Sequence, residues 1–271
     1  ARHPFDNPES LSRLIGRGDV ICNCIADTRD YVRAAVRRRT EITLTGEIYR
    51  AALRAGASRF LQLSTVMVYG FDRPDEPIDE NFPPRPGSSY SEIAWEREQT
   101  LCDVYCPELP LIFLRPANAL GPRDTSFLPR FAGTHRWGLF PVIGGGEWRF
   151  SCVDARDIGR SVAHLLETQW MGIEVFLVTG YDIDWLLLQA ELDKVLGRRS
   201  RRLNLPRSLM FRVGALLERT RCLGARPSLT RFSVEVLSNH TLFNDDKIRS
   251  TGFMPHYGLS DSLHDALKWT R

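Results

Sequence analysis

Short apolar runs alternate along much of the chain with longer amphipathic stretches, and this alternation limits the possible folds more than any other feature. The apolar runs are Asp19–Ala26, Phe60–Ser64, Leu111–Leu114 and Val175–Val178. Helical periodicity covers about Arg29–Ala55, Ser89–Tyr105 and Ile158–Glu167. Buried strands that alternate with helices are typical of a parallel α/β sheet with helices on both faces. Gly56 stands where a left-handed helix cap is expected.

From about Trp185 onward the pattern becomes mostly helical. The helical stretches are Trp185–Leu196, Pro206–Arg219, Ser228–Leu237, Asp245–Ser250 and Leu259–Trp269. We expect a smaller, mostly helical lobe that covers the strand ends of the sheet. Ligands of open α/β sheets bind outside the carboxyl ends of the strands, so we expect the chemistry there.

Composition and charge argue against several classes of function. The chain has 271 residues, 43% hydrophobic and 25% charged, which is typical of a globular protein. No apolar run approaches the ~18 residues of a membrane span, and residues 1–6 show no targeting pattern. The net charge is +3, and acidic residues are spread among the basic ones, so we expect no nucleic-acid partner and no membrane partner.

The six cysteines show no metal-binding spacing. Cys22 and Cys24 alternate along an apparently buried strand, and Cys102 and Cys106 are one helical turn apart. Neither pair has converging partners nearby, so we expect no metal site. Reduced core thiols in a cytoplasmic protein are the better interpretation.

Two polar features fall where the strand-end rule places the chemistry. Ser64-Thr65 ends one apolar run, and Tyr90 opens the following helix. Thr65 could orient a substrate oxygen while Tyr90 donates or accepts its proton. A purely structural Tyr90 at a helix start remains the alternative at this point.

The order of these segments resembles the extended short-chain dehydrogenase/reductase family. This family contains NAD(P)-dependent epimerases, dehydratases and 3β-hydroxysteroid-dehydrogenase-like proteins. The resemblance covers nearly the whole chain and rests on the strand Asp19–Ala26, the helix with Thr45, Ala51-Ala52 and Ala55-Gly56, the strand and turn Phe60–Gly70, the lead-in Asp79–Tyr90, the segment Leu114–Pro122, the segment Val142–Ile158 and the C-terminal part Phe243–Trp269.

The resemblance implies a fold, a domain division and a cofactor. The fold is a Rossmann-like parallel sheet with helices on both faces and a mostly helical C-terminal substrate lobe. The Rossmann-like, dinucleotide-binding part would cover 1–125 and about 150–182, and the substrate-binding lobe about 126–149 and 183–271. The implied cofactor is NAD or NADP. The partners expected are a small-molecule substrate and, as an open alternative, a second copy of the chain in a homodimer.

The resemblance also assigns roles by position. Tyr90 takes the acid/base role and Thr65 the hydroxyl role. The implied cofactor contacts are Asn23, Ala26, Ser64, Tyr90 and Pro116, and the implied substrate contacts are Val66, Asn118 and Arg149. A surface ion pair of Arg149 with Glu147 or Asp154 is an equal alternative for that residue.

Three departures from the family pattern count against an ordinary active enzyme. The family's Tyr-x-x-x-Lys motif would place a lysine at position 94, where this chain has Ala94 and no lysine before Lys194. Arg97 lies two helical turns beyond Tyr90. Glu41 stands where the family has asparagine, and Leu44 where it has glycine. No glycine-rich dinucleotide turn follows a first strand, so we expect that the first βαβ unit is missing and that NAD or NADP binds weakly.

The sequence leaves three functions open. The first is an NAD(P)-dependent oxidoreductase or epimerase/dehydratase that acts on a hydroxyl or keto group of a nucleotide sugar or a steroid- or flavonoid-like molecule. Arg123 and Arg149 favour the nucleotide sugar, whereas Val153–Asp157 and the apolar Leu205–Leu217 resemble the steroid branch. The second is a catalytically idle family member that binds a ligand or a protein. The third is a structural subunit that uses the basic Arg198–Arg202.

Overall fold

The structure, a computed structural model, describes residues 14–27, 34–124, 127–219, 227 and 229–269. The contacts divide the chain into two compact units. Unit 1 comprises Ala1–Asp72, Glu80–Pro116 and Arg160–Leu177, and unit 2 comprises Arg73–Asp79, Ala117–Gly159 and Val178–Arg271. The expected helix start at Arg29, the N-terminal segment up to residue 13, Cys222 and Ser228 lie outside the described residues. Which part binds a dinucleotide stays a prediction.

Nine strands occur in the described residues. They are β1 Val20–Asn23, β2 Arg59–Leu63, β3 Leu111–Pro116, β4 Asn118–Leu120, β5 Leu139–Ile143, β6 Arg149–Asp154, β7 Ile173–Val178, β8 Tyr181–Asp184 and β9 Arg201–Leu205.

Most helices lie in the predicted stretches. Helix α1 is continuous through an α-helical turn Ala34–Arg37, a π-helical segment Arg38–Thr43 and an α-helical part Leu44–Ala55. The others are α2 Ser89–Asp103, α3 Leu128–His135, α4 Ala155–Glu167, α5 Trp185–Leu196, α6 Arg207–Arg219, α7 Arg231–Leu237, α8 Asp246–Ser250 and α9 Leu259–Trp269. The sequence pattern does not predict α3, and α4 begins three residues before Ile158. Gly56 caps α1 with a φ of 73°, which confirms the predicted left-handed cap.

The sheet of unit 1 has the order β1-β2-β3-β7. Strands β1 and β2 are parallel, with Ile21 opposite Phe60, and β2 and β3 are parallel, with Phe60 opposite Leu111. The predicted parallel α/β fold is thereby confirmed. Strand β3 is buried along its whole length, whereas β1 lies at an edge of this sheet and exposes Val20 and Cys22. The expectation of a fully buried first strand is therefore wrong.

The core of unit 1 lies between α1 and the sheet. The helix buries Ile48, Tyr49 and Ala52 against Phe60 and Phe113. The Tyr49 and Phe60 rings meet edge to face at 5.2 Å, and the Tyr49 hydroxyl donates to the Leu109 carbonyl at 2.9 Å. Full burial of side chains of this size contributes about 1.5–3 kcal/mol each, so this face fixes the helix on the sheet.

Unit 2 contains two small sheets that the sequence pattern does not predict. One has the order β4-β6-β8, and the other pairs β5 with β9 in parallel. These strands contain polar residues or a proline among their apolar ones, so they lack the continuous apolar runs that mark β3 and β7. The core of this unit gathers aromatic rings around the buried Trp185, which contacts Phe131, Phe140 and Phe150. No helix in the described part of the chain is both long enough and apolar enough to cross a membrane.

Candidate active site

The three parallel strands of unit 1 end at the same edge of their sheet. Strand β1 ends at Asn23, β2 at Leu63 and β3 at Pro116. Helix α2 begins with a capping box, in which the Ser88 hydroxyl accepts from the Ser91 N–H at 3.2 Å and the Ser91 hydroxyl accepts from the Ser88 N–H at 3.0 Å. The cap fixes the first turn of the helix and with it the position of Tyr90.

The turn after β2 places Thr65. Thr65 caps a 3₁₀ turn at Val66–Tyr69, and its hydroxyl accepts from the Met67 N–H at 3.2 Å. The turn ends at Gly70, which has a φ of 65° and whose absent Cβ would lie 2.0 Å from the Arg85 carbonyl oxygen. Only glycine fits there, and this close approach seats the loop that leads to α2 against the turn.

Thr65 and Tyr90 are brought together, as the strand-end rule requires. A hydrogen bond joins the Tyr90 phenol and the Thr65 hydroxyl. Burial raises the pKa of the Tyr90 phenol above its ordinary value, and the negative charge of Glu41 acts in the same direction. The guanidiniums of Arg97 and Arg37 and the Thr65 hydrogen bond oppose that rise.

Arg97 lies at the strand ends although it is two helical turns beyond Tyr90 in sequence. Its Nη1 donates to the carbonyl oxygen of Ile25 at 3.1 Å, and its Nη2 donates to the carbonyl oxygen of Leu63 at 3.3 Å. The residue is 2% exposed. Side chains on a helix point back toward its N-terminus, which carries this guanidinium toward the first turn of α2. A distance of two helical turns in sequence therefore does not keep this cation from acting on Tyr90.

Glu41, the second departure from the family pattern, is the partner of Arg97. Its Oε2 lies 3.1 Å from the Arg97 Nη1, and its Oε1 accepts from the Asp27 N–H at 3.0 Å. Burial raises the pKa of Glu41 and lowers that of Arg97. The acidic residue at 41 and the basic residue at 97 thus form one buried ion pair beside the tyrosine.

A second guanidinium, that of Arg37, faces the tyrosine ring. Its Cζ lies 5.3 Å from the centroid of the Tyr90 ring, within cation–π distance. Arg37 is 1% exposed, and its Nε, Nη1 and Nη2 have no hydrogen-bond partner among the described residues. Sequence reasoning missed this residue because it lies in the basic run Arg37-Arg38-Arg39, which resembles a solvated helix face.

Two of the predicted cofactor contacts use their side chains inside the fold. The Asn23 amide donates to the Gln62 Oε1 at 2.8 Å and to the Thr45 hydroxyl at 3.1 Å. The Ser64 hydroxyl donates to the Glu98 carboxylate. The side chains of Asn23 and Ser64 therefore act by holding the strand ends in place.

The Glu98 carboxylate is the centre of a closed network. Arg115 donates to it from Nη2 at 2.5 Å and from Nε at 3.1 Å, and the Arg115 Nη1 donates to the Tyr69 hydroxyl at 2.6 Å. Glu98 and Arg115 are both buried. This network joins α2, β3 and the 3₁₀ turn. It supports the turn that carries Thr65.

The remaining predicted contacts are distributed over both units. In unit 1, Val66 and Pro116 are buried and Ala26 is exposed. In unit 2, the Asn118 amide donates to the Ser151 carbonyl at 3.0 Å. The Arg149 side chain is exposed in the same unit.

The two ion pairs considered for Arg149 are not formed. Asp154 pairs with Arg156 at 2.8 Å instead, and no described carboxylate, Glu147 included, pairs with Arg149. The role of Arg149 toward a substrate stays a prediction.

The cysteines and metal ligands give no second site. Within the described ranges, no group of three His, Cys, Asp or Glu side chains is placed to hold a metal ion. Cys152 is a buried thiol, but Cys22, Cys24 and Cys102 are exposed. The expectation of core thiols is wrong for these three. Cys22 and Cys24 are exposed because they lie on and directly after β1, at an edge of the sheet.

The parallel sheet flanked by helices defines a Rossmann-like α/β protein. The chain belongs to the NAD dependent epimerase/dehydratase family, whose profile matches residues 3–175. The predicted family is thereby confirmed.

Known proteins similar to this chain include sugar epimerases. An N-acetyl-alpha-D-glucosaminyl-diphospho-ditrans,octacis-undecaprenol 4-epimerase of Escherichia coli O157:H7 is 25% identical over 96% of this chain and 80% of that protein. The structure of a UDP-glucose 4-epimerase from Thermotoga maritima with UDP-glucose has a TM-score of 0.78 at 18% identity, covering 100% of this chain and 83% of that one. The UDP-glucuronic acid 4-epimerase from Bacillus cereus, in complex with UDP-glucuronic acid and NAD, has a TM-score of 0.75 at 19% identity over 99% and 79%. These structural similarities concern the fold.

Proposed function

We propose that the chain is an NAD(P)-dependent epimerase or oxidoreductase that acts on a hydroxyl-bearing carbon of a nucleotide sugar. The observation that carries the proposal is the hydrogen-bonded pair Tyr90 and Thr65 at the strand ends. The similar epimerases, whose names specify UDP-sugars or a diphospho-linked sugar, support the substrate class.

The Arg37 guanidinium beside Tyr90 supports the proposal of a bound dinucleotide. Arg37 is a buried guanidinium without a hydrogen-bond partner among the described residues, and oxygen atoms of a bound dinucleotide would satisfy it. Ala26, exposed after β1, and Pro116, at the end of β3, are the residues we propose to line the bound dinucleotide. A bound nicotinamide would accept a hydride from the substrate carbon and return it.

Tyr90 is the proposed acid and base. As a phenolate it takes the proton of the substrate hydroxyl while the hydride leaves the same carbon, so the alcohol becomes a ketone. The reverse step returns the proton from the phenol to the oxygen. Thr65, hydrogen-bonded to the phenol in the free protein, would turn its one O–H to the substrate oxygen and orient it when substrate binds.

The proposed substrate contacts follow the family positions. Val66 lies directly after Thr65 and is 1% exposed, so it closes the turn with an apolar side chain. By their family positions, Asn118 and Arg149 stay proposed substrate contacts, and the exposed Arg149 guanidinium has the chemistry to bind a phosphate or carboxylate.

The test is turnover of defined nucleotide sugars. The chain is incubated with NAD and, in separate reactions, with UDP-glucose, UDP-N-acetylglucosamine and UDP-glucuronic acid, and the sugars are separated by chromatography. We expect one of them to be converted to its 4-epimer or to a keto product. Tyr90→Phe should lower the rate about 10²–10⁴-fold, because general acid–base catalysis contributes that much.

A matched control uses another tyrosine of unit 1. Tyr105, a half-buried residue after α2, lies outside the site, so Tyr105→Phe should keep the parent rate. Equal rates for the parent chain and Tyr90→Phe would show that Tyr90 transfers no proton, and the proposal would then fail.

Ala94 favours a second candidate function. A family member without the motif's lysine fits a protein that binds a ligand or a protein partner in the same cleft without turnover. Binding of a UDP-sugar to the parent chain, together with no conversion at any pH, would support this alternative.

A further inference from the structure

Arg37 is a buried charge whose donors are all unused. The residue is 1% exposed, and none of its three guanidinium nitrogens has a hydrogen-bond partner within the described part of the chain. Burial of an unpaired charge is strongly unfavourable, and buried polar groups in folded proteins are nearly always hydrogen-bonded. An arginine in this state requires a partner that the described residues do not provide.

Other buried arginines of the molecule show that this state is unusual. Arg97 uses both terminal nitrogens on Glu41 and on two carbonyl oxygens, and Arg115 uses all three nitrogens on Glu98 and Tyr69. In unit 2, the half-buried Arg73 donates from Nη2 to the His240 carbonyl at 3.2 Å and stacks on Phe243 at 4.4 Å, while its Nε and Nη1 have no hydrogen-bond partner among the described residues. Each of these arginines has at least one hydrogen-bond acceptor, whereas among the described residues Arg37 contacts the face of the Tyr90 ring and no acceptor.

The surroundings of Arg37 are those of the candidate active site. Its guanidinium faces the phenol that is hydrogen-bonded to Thr65. Two guanidiniums and one carboxylate, those of Arg37, Arg97 and Glu41, act on that phenol. A further carboxylate, that of Asp27, acts on Glu41. Arg97 uses both terminal nitrogens and leaves only Nε unused, whereas all three nitrogens of Arg37 are unused among the described residues.

We propose that Arg37 takes the place of the lysine that is absent at position 94. Its guanidinium binds hydroxyl or phosphate oxygens of a nucleotide seated next to Tyr90 and supplies positive charge to the phenol. This inference rests on the proposed function, because it assigns a nucleotide to the same site. Guanidinium suits the task, since its planar donors bind vicinal oxygens in pairs.

The experiment compares Arg37→Gln with Arg39→Gln in the whole chain. Both arginines lie on α1, two residues apart, but Arg39 is exposed. The dissociation constants of NADH and of UDP-glucose are measured separately by calorimetry. We expect Arg37→Gln to weaken binding of one of them about ten-fold or more, as expected for the loss of charge-assisted hydrogen bonds, and the affected ligand identifies the source of the oxygens. Arg39→Gln should bind both like the parent.

Two further readouts separate ligand binding from a structural role. The melting temperature of the ligand-free Arg37→Gln chain should equal or exceed that of the parent, because an unpaired buried charge has been removed. The midpoint of Tyr90 ionisation, taken from the difference in ultraviolet titration between the chain and its Tyr90→Phe variant, should move to higher pH in Arg37→Gln. Arg37→Lys should keep most of the nucleotide affinity.

The inference is overturned if the parent chain binds neither nucleotide, or if Arg37→Gln binds both like the parent. A lower melting temperature together with an unchanged phenol titration would also overturn it and would make Arg37 a structural residue. The proposed function fails on a different result, namely turnover that survives Tyr90→Phe, and that result leaves the binding measurements on Arg37 intact.

Discussion

Two adjacent residues of helix α2, Arg97 and Glu98, enter two buried ion pairs of very different character. Around Glu98, Arg115, Ser64 and Tyr69 use one another's donors and acceptors. Around Arg97, the pair with Glu41 is formed, but the Arg97 Nε and the three nitrogens of Arg37 have no hydrogen-bond partner among the described residues.

The difference distinguishes a network that stabilises the fold from one that we propose to bind a ligand. A buried polar network that is fully satisfied fixes one arrangement of its elements. A network with unused buried donors has an energetic cost in the free protein, and a ligand that brings oxygen atoms removes this cost. Binding sites are expected at such places, next to a rigid support of the first kind.

The largest expected effect is on the closed network. Glu98→Gln keeps the size of the side chain but leaves the Arg115 guanidinium buried without its counter-charge. Removal of one partner of a buried pair typically costs about 3–5 kcal/mol, so we expect a loss of this size in the free energy of unfolding. Urea denaturation measures it. A loss below about 1 kcal/mol would show that the two networks do not differ as described.

A smaller effect is expected in the network of Arg37, Glu41, Arg97 and Tyr90, which we call the open network. It concerns the pH dependence of turnover. Burial raises the pKa of Tyr90, so a rate that needs the phenolate rises with pH above neutrality. Arg37→Gln should lower the rate at neutral pH about 10–100-fold and move the rise to still higher pH. Adding Ala94→Lys to this variant should restore at least part of the rate, because the ammonium returns positive charge to the phenol.

The single variant Ala94→Lys gives the control for that experiment. In the parent background, where Arg37 is present, we expect it to change the rate only a few-fold. Rates that are flat with pH in all four chains would contradict the electrostatic role of the open network.

The smallest effect is expected at Glu96, which precedes Arg97 in α2 but belongs to neither network. Glu96 pairs with Arg38 at 2.9 Å, but the two side chains are 43% and 55% exposed. Exposed pairs contribute about 0–1 kcal/mol and are screened by salt. Glu96→Gln should therefore change the urea midpoint slightly, and less at high salt. A loss as large as that of Glu98→Gln would mean that burial does not distinguish the three consecutive side chains of α2.

The strands and helix ends of the site could be predicted from the sequence better than the burial and pairing of its charged side chains. The strands β2 and β3 and the cap at Gly56 follow from apolar patterning and glycine conformation, which are local properties. Thr65 and Tyr90 could be placed from the strand-end rule. The basic run Arg37-Arg38-Arg39 could not be divided in this way into one buried and two exposed side chains, because burial depends on the rotation of α1 against α2. The pair of Glu41 and Arg97 joins residues of two helices and has no local pattern.

The π-helical segment of α1, Arg38–Thr43, gives the position of Arg37 an unusual tolerance of a change in chain length. A π segment accommodates an additional residue within an otherwise continuous helix. The α-helical parts on its two sides therefore keep the facing they would have in a regular helix one residue shorter. Loss of one residue between 38 and 43 would let the segment relax to regular α-helix without turning the residues before it, whereas the same loss from a regular α-helical stretch would rotate them by about 100°. Arg37 would then still face Tyr90, so among related chains a one-residue gap in this segment would be compatible with an arginine in the site.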